Sequence, residues 1–224
     1  MPAFEAALRA GARYVETDVQ LSADGVPVLF HDRTLERVCG ERGAVHDRSL
    51  ADLRRMRALE FDRFGYRYAS AGVATLAEFG GLLAAHPHVT AFVEIKRGAL
   101  ERFGVDAVLD AVAPVLAPLA ARTVLISFDA PVLARAREYR APAWCGIGAV
   151  VDAWHERGRF ASLSPEYLFC DREGLPRFGK LRFGQSRVAI YEIDDPLEAQ
   201  RLARRGAALI ETFAIGEMTA ALAR

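Results

Sequence analysis

Residues 14–32 read YVETDVQLSADGVPVLFHD. Val15, Thr17 and Val19 alternate with Glu16, Asp18 and Gln20, the period-2 pattern of a half-buried strand. Asp24-Gly25 is a turn signal, because glycine tolerates positive φ and aspartate bonds the local backbone. A second apolar run, VPVLF, ends in His31-Asp32. If Leu21 pairs with Val26, then Val19 faces Val28, Thr17 faces Phe30 and Glu16 faces His31. Residues directly opposite each other share a side of the sheet. Val15, Thr17, Val19, Val28 and Phe30 are then expected to pack on helices, while Glu16, Asp18 and His31 gather on the other side. A slip of one residue would break both sets.

Strand-like and helix-like segments alternate after residue 70. AFVEIK (91–96), VLISFD (124–129), WCGIGAVV (144–151), YLFCD (167–171), RVAIYEI (187–193) and ALIETF (208–213) read as strands. Between them lie helical patterns at 75–86, 99–121, 131–140 and from Asp195-Pro196 to Gly206. Pro114 and Pro118 are expected to interrupt the second of these. Thr75 with Glu78 has capping-box spacing, and Gly206 is a helix stop. This alternation predicts a parallel α/β sheet, a (β/α)₈ (TIM) barrel first and a doubly wound fold as runner-up. Residues 33–72 break the rhythm and read as an insertion with a short helix at SLADLRRM. One domain over 1–224 accounts for the length.

Composition narrows the function classes. The chain has 224 residues, 52% of them hydrophobic, with mean hydropathy +0.09. Lys+Arg 29 balance Asp+Glu 29 and are dispersed, which argues against a nucleic-acid or membrane-surface footprint. No run is long and apolar enough to suggest a transmembrane segment. Cys39, Cys145 and Cys170 fit no metal spacing and read as free thiols, which favours a reducing, cytoplasmic location. The oligomeric state is not legible.

Catalytic groups of a barrel sit at the C-terminal ends of its strands. Glu16 and Asp18 are read at the end of the first strand, and Glu94 and Lys96 at the end of AFVEIK. Three carboxylates offer oxygen ligands to a hard cation such as Mg²⁺ or Ca²⁺. Such an ion can hold a phosphate oxygen. His31 suits a general acid or base, and Lys96 an anionic oxygen. Taken singly, Glu16–His31 and Glu94–Lys96 read equally well as surface ion pairs. Their joint placement favours a site. His46, His86, His88 and His155 read as solvated residues.

FEAALRAGARYVETDVQLSADGVPVLFHDRTLERVCGERGAVHDRSLADL (4–53) strongly resembles the glycerophosphodiester phosphodiesterase family. The likeness continues in TLAEF (75–79), VEIK (93–96) and SFD (127–129), fades, and returns at IYEID (190–194) and GAALIETF (206–213). The resemblance implies a TIM barrel with a small insertion after the His-Asp strand. It implies a divalent cation, Mg²⁺ or Ca²⁺, and hydrolysis of glycerophosphodiesters to glycerol 3-phosphate and an alcohol. Glu16, Asp18 and Glu94 fall on its metal-ligand positions, His31 on one of two catalytic histidines and Lys96 on a phosphate-lining position. Tyr191 replaces an aromatic of the substrate site. The family's first strand ends in His-Arg-Gly, whereas this chain starts inside the following helix. A barrel lacking its first strand, and a nearly inactive chain, are therefore the expectation. A late start site, a fragment and a true loss are the three explanations. Two other functions stay open: an inactive barrel that binds a phosphodiester or protein partner, and a lyase that cyclises a phospholipid head group.

Overall fold

The computed structural model describes residues 1–139 and 143–222. Among the described residues, eight strands form one sheet in the order β2-β1-β3-β4-β5-β6-β7-β8. They are β1 (Tyr14–Leu21), β2 (Pro27–Leu29), β3 (Thr90–Ile95), β4 (Thr123–Ser127), β5 (Gly146–Val151), β6 (Tyr167–Asp171), β7 (Arg187–Tyr191) and β8 (Ala207–Ile210). Only β2 runs antiparallel to its neighbour, and every other pair is parallel. After the β1–β2 hairpin the spatial order follows the chain without reversal, which rules out the doubly wound alternative.

The sheet also curls. Phe92 on β3 packs edge-on against Tyr167 and Phe169 of β6, with ring centroids 4.8 and 4.9 Å away. These rings join Val124, Ile126, Val150 and Ala189 in an inner core. The larger outer core lies between strands and helices and includes Val15, Val19, Val93, Ile95, Leu109 and Leu125. Among the described residues no ladder joins β8 to β1. Arg187 of β7 reaches the Tyr14 hydroxyl of β1 at 3.4 Å, so the two flanks of the sheet meet through side chains.

Local chemistry explains the helices. Thr75 accepts from the Glu78 amide at 3.2 Å while the Glu78 carboxylate accepts from the Thr75 amide at 2.7 Å, closing the expected capping box on Leu76–Ala84. Asp195 caps Pro196–Arg205, which ends at Gly206 with φ +118°. The pattern at 99–121 breaks at Gly104 (φ +82°), giving Arg97–Phe103 and Val105–Leu116. Pro114 sits in the last turn of the second helix, where it removes a hydrogen bond without ending the helix. Ala130–Arg137 follows β4, and the expected end of that helix at Arg140 lies outside the described residues. A long 3₁₀ segment, Trp154–Leu163, stands between β5 and β6.

The hairpin corrects the expected register by one residue. Val19 pairs with Leu29, Gln20 with Val28 and Leu21 with Pro27. The Ser22 amide donates to the Val26 carbonyl at 3.0 Å, so the turn is Ala23-Asp24-Gly25, with Gly25 at φ +76°. A three-residue turn with glycine left-handed is a standard hairpin closure. Val28 and Phe30 therefore leave the helix-packing side. They pack instead with Leu35, Val45, Leu53 and Val73 in a separate core under residues 33–72. β1 itself runs past Glu16 and Asp18 to Leu21, so those acids lie within the strand.

Replacing Thr75 by alanine should remove the side-chain half of the capping box, the hydroxyl that accepts from the Glu78 amide. The expected loss is about 1 kcal/mol, seen as a fall of about 2–4 °C in melting temperature. An unchanged melting temperature would show that tertiary packing alone holds this helix start.

Candidate cation and phosphate site

Parallel pairing of β1 with β3 sets Glu16 beside Phe92 and Asp18 beside Glu94. Val93 and Ile95 belong to the outer core, so Phe92 and Glu94 face the barrel interior. One oxygen from each of Glu16, Asp18 and Glu94 lies within 4.8 Å of the others. The Lys96 ammonium reaches Asp18 at 3.1 Å and Glu94 at 2.9 Å. Glu94 is only 7% exposed. Glu16 is half-buried, and its Oε1 is shielded without a hydrogen-bond partner among the described residues.

That orphaned oxygen tests the fit of a cation. Three carboxylates face one ammonium, so the cluster keeps an excess of negative charge. An all-oxygen, anionic donor set matches a hard divalent ion. The residues present therefore fit such a group.

The corner is larger than the sequence suggested. Glu211, just past β8, and Glu192, just past β7, add two carboxylates. Burial, then Asp18, Glu211 and Glu94, hold the Glu16 pKa well above the usual carboxylate range. Burial also raises Glu94, against the pull of Lys96. Burial, then Glu192, Asp18 and Glu94, move Glu211 from 4.5 to about 7. Burial opposes the charge on Lys96, but Glu94 and Asp18 outweigh it and hold its pKa above the ordinary value. Alternation alone would have placed Glu192 and Glu211 at strand ends. Read singly, such acids look like ordinary surface charges.

His31 stands at the rim. Its side chain is 65% exposed, and Nδ1 lies 2.7 Å from Asp32 Oδ1. Arg37 holds the same carboxylate at 2.7 and 2.8 Å and reaches Glu60 at 2.7 Å. The Arg37 hydrogen bond, opposed by burial and aided by His31, lowers Asp32 to about 2. The one-residue register shift thus gives His31 a different carboxylate from the expected one: Asp32 rather than Glu16. His31 stays within electrostatic reach of Glu94 and Glu192. The Tyr191 hydroxyl donates to the Val151 carbonyl at 3.0 Å, and the ring borders the inner core.

Away from this corner, His46 departs from expectation. It is buried, edge-on to Phe103 at 6.5 Å, and its Nδ1 lacks a partner among the described residues. Its neighbour Phe103 packs on the outer core, so His46 is turned inward and away from solvent. His88 and His155 are exposed. The thiols Cys39 and Cys170 are pushed up to about 11 and about 12 by burial. Among the described residues no single helix is long and apolar enough to cross a membrane.

The carboxylates make stability depend on pH. The unfolded chain loses the Glu211 proton near 4.5, while the folded chain keeps it to about 7. Unfolding therefore releases a proton in that window, and stability falls as pH rises through it, then levels off. The contribution is up to about 3 kcal/mol at pH 8. In chelator, Glu211→Gln should raise the melting temperature at pH 8 more than at pH 5. A variant whose pH slope matches the parent's would show that Glu211 carries no such burden.

The sequence profile of the glycerophosphoryl diester phosphodiesterase family matches residues 1–144. A glycerophosphodiester phosphodiesterase of Caldanaerobacter subterraneus is 33% identical over 104 residues, covering 46% of this chain and 42% of that protein. Glycerophosphodiester phosphodiesterase 1 of Rattus norvegicus is 29% identical over 96 residues, covering 43% and 29%. The chain thus spans less than half the length of these relatives. Among solved structures, an Oleispira antarctica phosphodiesterase in complex with the product sn-glycerol-3-phosphate superposes with a TM-score of 0.80 at 22% identity, over 96% of this chain and 87% of that one. A Thermotoga maritima glycerophosphodiester phosphodiesterase gives 0.69 at 21%, over 98% and 90%. The chain belongs to the glycerophosphoryl diester phosphodiesterase family.

Proposed function

We propose that the chain carries the cation and phosphate site of an enzyme that hydrolyses glycerophosphodiesters to glycerol 3-phosphate and an alcohol. The observation that carries this reading is the meeting of Glu16, Asp18, Glu94 and Lys96 in one inward corner, with one carboxylate oxygen left unpartnered. Glu16, Asp18 and Glu94 would hold Mg²⁺ or Ca²⁺. Such an ion supplies Lewis acidity at a phosphate oxygen. Lys96 pairs with another phosphate oxygen and keeps it oriented. His31 gives the proton that the departing alkoxide needs, from the ring nitrogen opposite Nδ1. Asp32, ionised through Arg37, holds Nδ1 and fixes the ring's direction. Tyr191 lines the substrate side with its ring, since its hydroxyl is already committed to Val151. The open side between β8 and β1 is read as the place of one further parallel strand. The rival reading, a barrel that binds a phosphodiester without turning it over, rests on that same opening.

Titration with millimolar Mg²⁺ or Ca²⁺ should give heat and raise the melting temperature, and Glu16→Gln or Glu94→Gln should abolish both. No response in the parent chain would remove the cation reading. Turnover is tested on glycerophosphocholine by release of glycerol 3-phosphate, and a cyclic phosphate as end product would favour the lyase. In a chain extended by that further strand, His31→Ala should lower turnover about 10²–10⁴-fold on aliphatic leaving groups. It should matter far less for bis-p-nitrophenyl phosphate, whose leaving group needs no proton. Equal losses on both would exclude His31 as the acid.

A further inference from the structure

His31 and Asp32 follow β2, whose pairing with β1 ends at Leu29. The last backbone bond from β1 into this stretch runs from the Phe30 amide to the Asp18 carbonyl, at 3.1 Å. Among the described residues, no backbone group of His31 or Asp32 bonds to another backbone group. A side chain of β1 holds this stretch instead. Gln20 Nε2 donates to the Phe30 carbonyl at 3.2 Å and also to the Asp32 carbonyl. Those two oxygens belong to the peptide units on either side of the His31-Asp32 pair. One amide thus fixes both ends of the backbone from which the two side chains project.

Gln20 is placed for this task. It shares a strand face with Glu16 and Asp18, two residues beyond the second acid. It is 1% exposed. Only one orientation of its amide satisfies both carbonyls, because the reverse would crowd three oxygens together. Oε1 then turns toward Gly98 in the helix Arg97–Phe103, where a Cβ would stand 3.2 Å from it. That oxygen has no hydrogen-bond partner among the described residues. A buried amide with an orphaned acceptor costs stability. What its two donors hold offsets that cost.

We propose that Gln20 is a positioning residue, which aims the His31 ring by fixing the backbone on both sides of the His31-Asp32 pair. The proposal rests on the reading of His31 as the acid that protonates the departing alkoxide. The Asp32 carboxylate can only accept, so its 2.7 Å contact makes Nδ1 the donor and leaves Nε2 for the leaving group. Two devices act together. Arg37 orients the Asp32 carboxylate, and Gln20 holds the chain that carries both Asp32 and His31. Without Gln20 that chain is free to swing, and the ring loses both its partner and its direction.

The His31 tautomer reports this positioning without turnover. Ring-nitrogen chemical shifts are measured in alkaline buffer, and the signals that vanish in His31→Ala identify His31. In the parent chain they should report Nδ1–H. Gln20→Met keeps the shape and loses both donors, while Gln20→Asn keeps the amide one methylene short of its partners. Both variants should move the shifts toward mixed tautomers, in the direction given by Asp32→Ala, at a melting temperature close to the parent's. If one variant fails to fold, the other decides. Unchanged shifts in a folded variant would overturn the proposal. In a chain extended by the further strand, Gln20→Met should lower turnover of glycerophosphocholine by up to about 10²-fold. It should spare bis-p-nitrophenyl phosphate and add nothing to His31→Ala. Equal losses on both substrates would make Gln20 a merely structural residue and also overturn the proposal. If His31→Ala itself costs nothing, the acid reading falls, and the tautomer shifts still decide whether Gln20 aims the ring.

Discussion

The pairing of Asp18 with Glu94 across two parallel strands is the constraint on which the site depends. It forces two carboxylates into one inward corner, with Glu16 joining from the same strand. Like charges in a poorly solvated place repel one another and lose hydration. Lys96 offsets two of them through contacts at 3.1 and 2.9 Å. Breaking one partner from such a set leaves the other charges uncompensated, which is more harmful than the set itself. The surrounding scaffold tolerates this because the outer core is extensive. Val15, Val19, Val93 and Ile95 on the same two strands are buried against helices. One face of each strand stabilises the fold while the other carries the charge.

The hairpin divides labour in a different way. Its three-residue turn sends Val28 and Phe30 under residues 33–72, where they form a core with Leu35, Val45, Leu53 and Val73. That core anchors residues 33–72 to β2, which pairs with the strand that carries Asp18. Arg37, from the helix Glu36–Cys39, then spans Asp32 and Glu60. The direction of His31 is thereby set by residues 33–72 and not by the sheet alone. A displacement of residues 33–72 would loosen the His31–Asp32 pair without touching the carboxylates on β1 and β3.

Much of this was legible in the sequence, for identifiable reasons. Strand faces followed from period-2 alternation, as Val93 and Ile95 against Phe92 and Glu94 show. The helix starts at Thr75 and Asp195 followed from capping chemistry that depends only on neighbours in the chain. The hairpin register did not follow, because Ser-Ala-Asp-Gly is compatible with turns of different length, and one residue changes every partner. The company of Glu211 was equally hidden. Its neighbours Asp18 and Glu94 come from β1 and β3, and only the curl of the sheet brings them to Glu211. His46 failed for the same reason, since its burial depends on how the insertion folds over Phe103.

The acidic corner is poorly explained as a device of stability. A well-packed apolar residue in place of Glu16 or Glu94 would remove both repulsion and desolvation. Lys96 cannot balance the set, because one ammonium faces at least three carboxylates, and Glu16 Oε1 remains without a partner. Two changes would relieve the strain: loss of negative charge, or arrival of positive charge. The first stabilises the chain and destroys the oxygen donors. The second keeps the donors and makes binding of the ion part of the folding free energy. Local rules are broken where function requires it. The unbalanced charge is thus the physical ground on which the proposed cation site rests.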